Sequence, residues 1–174
     1  MTEAWLRGPL EGVDRVLMPA AHALVQSREE ITAAASGLNA AELWGRPGGA
    51  ASIGFHLRHI AGSIDRLLSY ARGQQLTDSQ RAALAAEKSD EPSASAEMLI
   101  AQVSTAIDRG LVALRTADPA TLHDPRGVGR AALPSTVYGL LCHIAEHTTR
   151  HAGQIVTTAI VVRGLEAVRA AGTR

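Results

Sequence analysis

His143, His147 and His151 recur every four residues in the segment Leu-Leu-Cys-His-Ile-Ala-Glu-His-Thr-Thr-Arg-His-Ala-Gly-Gln-Ile, which holds three of the chain's seven histidines. On a helix, an i,i+4 pair puts two imidazoles one turn apart on the same side, where both reach a single ion at ~2.0–2.1 Å. Two ligands do not hold an ion, so a third must come from a distant part of the chain. A lone histidine on a helix edge is ordinarily satisfied by backbone or solvent. Several in register are different, because burying unpaired imidazoles costs desolvation unless something binds their nitrogens.

The three are not equivalent. Val137, Leu141, Ile144, Ile155, Ala159 and Val162 mark the apolar stripe of this helix. At ~100° per residue, His151 falls ~40° from its centre, His147 ~80° and His143 ~120°. His147 and His151 therefore point between helices, and His143 lies nearer the rim. Gln154, two turns past His147 on almost the same line, is placed to orient a ligand or a bound water.

A second group is Phe55-His56-Leu57-Arg58-His59-Ile60-Ala61. The apolar line through Ile53, Leu57, Ile60, Ile64 and Leu67 passes closer to His56 than to His59, so periodicity favours His56 as the inward residue. His59 shares its line with Ser63 and Arg66, a polar strip suited to the wall of a pocket, although an arginine taken alone reads as a solvent-facing charge. His22 on the first helix could face the same cavity, and His123 beside Asp124 could transfer protons over it. Cys142 lies off the His147 line and reads as a small buried hydrophobe rather than a nucleophile.

The elements that must position these residues are helical. Aromatics are only 3% of the 174 residues while Ala and Leu abound, a bias towards helix and away from strand. A first helix runs from Pro19 to Ser36, with Gly37 as its stop and a shorter helical stretch before it. After the turn-rich Trp44-Gly-Arg-Pro-Gly-Gly, Ser52 caps a second helix to Arg72. Pro92 and Ser93 open a third reaching Arg115, with an extra turn over Ala82–Glu87 before it. Residues 118–134, with Pro119, Pro125, Gly127 and Gly129, read as a long ordered loop. Ser135 then caps a last helix to Arg163, and the tail beyond Gly164 frays. The expectation is an all-α chain, one domain over residues 1–174, packed as an antiparallel four-helix bundle with a long loop before the last helix.

Seventeen basic and seventeen acidic residues cancel, so the chain lacks the electrostatic footprint that nucleic acid demands. A single cysteine excludes an internal disulfide and any multi-cysteine zinc site, and there is neither a cleavable leader nor a long apolar run. These features place the protein in the cytoplasm, without a membrane partner.

Arg-Pro-Gly-Gly ahead of His-Leu-Arg-His-Ile-Ala-Gly-Ser-Ile-Asp-Arg-Leu-Leu, followed far downstream by Glu-His-Thr-Thr-Arg-His-Ala-Gly-Gln-Ile, resembles the DinB-like superfamily of metalloenzymes over Pro19–Arg163. The resemblance implies an up-down-down-up four-helix bundle, a homodimer, and a three-histidine site for a divalent ion, zinc or nickel foremost. By its motifs the first ligand is His59, which precedes Ile60-Ala61, and the others are His147 and His151, which precede Gly153-Gln154. It thereby sets aside the periodicity preference for His56, which stays with His143, Gln154 and Arg66 around the pocket.

Members of that superfamily include thiol-dependent transferases and isomerases that use bacillithiol, mycothiol or glutathione. The implied function is a metal-dependent thiol S-transferase, isomerase or hydrolase acting on a small molecule, with Arg66 or Arg58 pairing a carboxylate of the thiol. Substrate would enter past His143, His56 and the long loop. The alternative is a non-catalytic metal-binding or dimerising helical bundle.

Overall fold

The computed structural model describes residues 2–172, which are mostly helical with one small two-stranded sheet. Four long helices correspond to those expected: α1 (Met18–Ala35), α3 (Ile53–Ala71), α5 (Ala96–Thr116) and α6 (Val137–Gly172). Two short ones, α2 (Ala40–Trp44) and α4 (Asp78–Ala86), lie in the connections.

Local chemistry explains the boundaries. Ser52 Oγ accepts from the backbone N–H of Phe55 at 3.2 Å, the cap expected for α3. α5 starts later than Pro92–Ser93, because residues 91–94 form a turn and Ser95 supplies the capping oxygen to Met98. The extra turn expected over Ala82–Glu87 is a longer helix, since Thr77 and Gln80 form a reciprocal capping box. The same device, Asn39 with Glu42, nucleates α2, a helix not among those expected, just ahead of the turn-rich segment from Trp44.

The expected loop over residues 118–134 is largely a hairpin. Strands β1 (Pro125–Val128) and β2 (Leu133–Thr136) pair antiparallel, with Pro125 opposite Thr136. The connection turns through the left-handed backbone of Gly129 and Ala132. Pro134 is tolerated because each strand of a two-stranded ribbon is an edge. Thr136, rather than Ser135, caps α6, its Oγ accepting from Gly139 N at 3.0 Å. α6 then runs through Gly164 to Gly172 instead of fraying.

Side-chain pairs fix how the long helices run. Ser27 on α1 meets Thr149 on α6, and further along Arg163 donates to the carbonyl of Ser36, so these two helices are parallel. Arg28 pairs with Asp108 while Glu97 accepts from Gly37 N, so α5 runs against α1. On α3, His56 faces His151 and His59 faces His147, so α3 runs against α6 and hence along α5. The buried residues between them, including Leu24, Ile31, Leu57, Ile60, Ile64, Val103, Ile107, Ile144 and Ile155, form one apolar cluster. Among the described residues, no helix is long and apolar enough to cross a membrane.

Candidate metal centre

The histidine positions lie on α3 and α6 where the two helices cross antiparallel. His59, His147 and His151 each offer a ring nitrogen such that the three atoms lie within 4.8 Å of one another. His59 Nε2 and His147 Nε2 are 2.9 Å apart. The rings of His147 and His151 meet edge to face with centroids 4.5 Å apart, and those of His59 and His151 likewise at 4.7 Å.

His56 is more deeply buried than His59, at 5% exposure against 20% for the His59 side chain. Periodicity thus identified the more inward residue, but that residue stands outside the three-nitrogen cluster. Its Nδ1 lies 2.9 Å from Nδ1 of His151. Gln154 lies beside His151. His143 sits at the exposed rim, its Nδ1 2.8 Å from a Glu146 oxygen.

Arg66 corrects the reading of a solvent-facing charge. It is 8% exposed and bonds both oxygens of Glu87, a residue itself 5% exposed at the C-terminal end of α4. Glu87 Oε2 in turn lies 2.8 Å from His59 Nδ1. Burial raises the pKa of this carboxyl, yet the bonds from His59 and Arg66 outweigh it and hold it below the ordinary carboxylate value. An ionised carboxylate only accepts. His59 Nδ1 therefore donates, and in the neutral ring Nε2 is left with its lone pair towards His147.

Burial lowers the pKa of His56, His147 and His151 to about 4 each, helped by the positive charge that neighbouring histidines would carry. Neutral imidazoles are the form that binds divalent metals. A cluster of neutral nitrogens, one with its lone pair fixed by a hydrogen-bonded carboxylate, is a donor set that fits a divalent ion.

Phe55 completes one wall, stacked on His59 at a centroid distance of 5.4 Å and an interplanar angle of 7°. Beside the cluster opens a cavity of about 390 Å³ lined by His56, Arg150, Gln154, Thr157 and Thr158, with Ala50 and Ala51 at its edge. A larger cleft of about 580 Å³ lies between α3, α5 and the start of α6 and includes none of the histidines, so size alone would mislocate the chemistry.

Several expected residues lie elsewhere. His22 bonds the carbonyl of Gly8, and His123 packs near Tyr138. The segment before α6 folds against the far end of α3, where Arg126 donates to the carbonyl of Ala71, so it does not line the entrance to the cluster. Arg58 is held by the carbonyl of Ser89 and by Glu91. Cys142 is half-buried beside the Tyr138 hydroxyl. Sequence reasoning missed Glu87 and Phe55 as parts of the site. The only signals were a glutamate ending a short helical stretch and an aromatic flanking His56.

Fold and cluster together define a helical protein with a tri-histidine centre able to hold a divalent metal. A sequence model of the DinB superfamily matches residues 23–155, and the chain belongs to that superfamily. No curated protein matches it.

Proposed function

We propose that His59, His147 and His151 bind one divalent ion, zinc or nickel, and that the chain is a metal-dependent enzyme of the thiol S-transferase, isomerase or hydrolase type, in a bundle of the DinB kind. The observation that carries this reading is the convergence of three ring nitrogens from two helices within 4.8 Å. Such an ion, with a coordination position left open, supplies Lewis-acid activation of a bound thiol or water near neutral pH.

The chain's own groups then have definable tasks. Phe55 shields one face of His59 from water. Glu87 and Arg66 hold that ring from behind, so Arg66 is not free to meet a substrate carboxylate, and Arg58 is similarly engaged. Arg150 lines the cavity and pairs with Glu146 on its own helix, but both partners are exposed, so of the three arginines it is the one whose pairing an acidic group on a low-molecular-weight thiol can displace.

Elemental analysis of untagged protein, followed by a screen of biological thiols against several electrophiles, tests the reading. About one ion per chain with turnover supports it. Bound metal without turnover across thiols and hydrolysable substrates moves the protein to the alternative, a non-catalytic metal-binding or dimerising bundle.

The same proposal takes residues 1–174 as one cytoplasmic domain that forms a homodimer and binds neither nucleic acid nor membrane. The apolar residues of α1 and α3 are largely buried inside the protein rather than offered as a dimer face. Val161, Leu165 and Val168, exposed along one line of α6, supply that face instead. Light scattering of the native chain and of Leu165→Asp tests it, a dimer and a monomer being expected.

A further inference from the structure

We propose that Glu87 is the positioning residue of the centre: backed by Arg66, and admitted by the missing side chain of Gly62, it locks His59 into the Nδ1–H tautomer so that Nε2 is the atom offered between α3 and α6. This rests on reading the cluster as a metal site, although its core can be examined on the metal-free chain.

Neutral imidazole has two tautomers, and the hydrogen bond made at one nitrogen decides which nitrogen keeps a lone pair. His59 Nδ1 faces a Glu87 oxygen at 2.8 Å, and Nε2 faces His147 at 2.9 Å. Glu87 is buried, and its charge is answered by Arg66, also buried, which reaches Oε1 with one terminal nitrogen and lies 3.4 Å from Oε2 with the other. Each member of the chain from Arg66 to Glu87 to His59 to His147 thus fixes the next.

Gly62 is the independent sign that this path is built in. His59, Gly62 and Arg66 follow one line along α3. A Cβ at position 62 would collide with Glu87 Oε1 and come within 2.6 Å of Arg66 Nη1. Both groups lie against the glycine's bare backbone, and any side chain there would force the ion pair off the helix and away from His59.

The stretch that carries Glu87 is clamped on both sides. Before it, Gln80 donates to Asp65 at 2.7 Å and to Ser69 at 2.9 Å. After it, Arg58 donates to the carbonyl of Ser89, and Arg46 pairs with Asp90 at 2.6 Å. α4 itself has no buried residue, so these polar ties and Glu87 are what hold this part of the connection against α3.

The test uses the full chain labelled with ¹⁵N-histidine and stripped of metal by chelator, with long-range ¹H–¹⁵N correlation at neutral pH. His59 is expected to show a protonated Nδ1 and a bare Nε2. Glu87→Ala is expected to lose that signature and to weaken zinc binding ~10–100-fold in chelator competition, at unchanged stoichiometry. Glu87→Gln has a single acceptor oxygen, which Arg66 holds at the Oε1 position, so its amide N–H faces Nδ1 and the variant is expected to shift His59 towards the Nε2–H tautomer and to weaken zinc binding rather than rescue it.

A native His59 protonated on Nε2 instead overturns the proposal, as does a Glu87→Ala chain with its tautomer retained or its zinc affinity unchanged. If Glu87→Ala does not fold, Gly62→Ala, which displaces the same carboxylate, is read for the same two changes, and the native spectrum remains decisive. A native chain with the expected tautomer but no zinc affinity supports the positioning role while removing the metal reading, so the two fail separately.

Discussion

His56 Nδ1 lies 2.9 Å from Nδ1 of His151, and only one proton can sit between them. If His151 turns its other nitrogen to an ion, its Nδ1 donates and His56 accepts. His56→Ala is therefore expected to weaken metal binding by about tenfold while leaving the stoichiometry unchanged. Chelator competition with zinc measures this, and a drop in stoichiometry would instead make His56 a ligand.

His147→Ala should remove the metal and keep the fold. The core under the site is carried by Ile60, Ile64, Ile144 and Ile155, none of which contributes to the cluster. Metal content by elemental analysis is expected to fall to near zero with unchanged far-ultraviolet circular dichroism. Unchanged metal content would sink the metal reading, and loss of metal together with helicity would favour a structural clip.

The metal-free chain should be acid-labile in a defined window. The pKa of His56, His147 and His151 lies at about 4 in the folded state against an ordinary 6.5. Between those values the unfolded chain binds protons that the folded chain refuses, so the contribution to stability is whole above 6.5 and lost as pH falls towards 4. Urea midpoints measured in chelator should be flat from neutral pH upward and decline through that window. Replacing His56 with a neutral residue of similar size should make the decline shallower.

Gly54 is expected to be intolerant for a reason unrelated to chemistry. A Cβ there would drive into the indole of Trp44, approaching Cε3 at 2.6 Å. That ring seats α2 against the start of α3, the helix that carries His56 and His59. Gly54→Ala should cost about 1–3 kcal/mol through overpacking, measured by urea denaturation with tryptophan fluorescence as the probe.

Much of this molecule was legible because it is written in local periods. The four-residue spacing of His143, His147 and His151 and the apolar lines of α3 and α6 are properties of single helices, as are the caps at Ser52 and Gly37. The hairpin was hidden because Pro125, Gly127, Gly129 and Pro134 read as breakers, and strand pairing across a turn leaves no helical period. α6 outran its expected end because one glycine at 164 costs only about 1 kcal/mol against the alanines and leucine around it. Inwardness and cluster membership also proved separable: His56 points deeper into the protein, yet His59 is the residue that meets His147.

Glu87 was illegible for a different reason. It meets His59 across 28 residues of chain, from the end of a short helix that buries none of its residues. Nothing in the residues around it marks a partner so far away.

The shared direction of α3 and α5 has a topological consequence. Had these helices formed a tight hairpin, the link between them would have stayed at one end of the molecule. Because they run the same way, the chain leaving Ala71 must retrace the whole ~28 Å length of α3 before α5 can begin at Ala96. Its return journey carries it past the first half of α3, where His59 sits. The detour that the chain order imposes is thereby the route by which a carboxylate reaches the back of an imidazole, and shortening that link would remove the carboxylate without touching any of the four long helices.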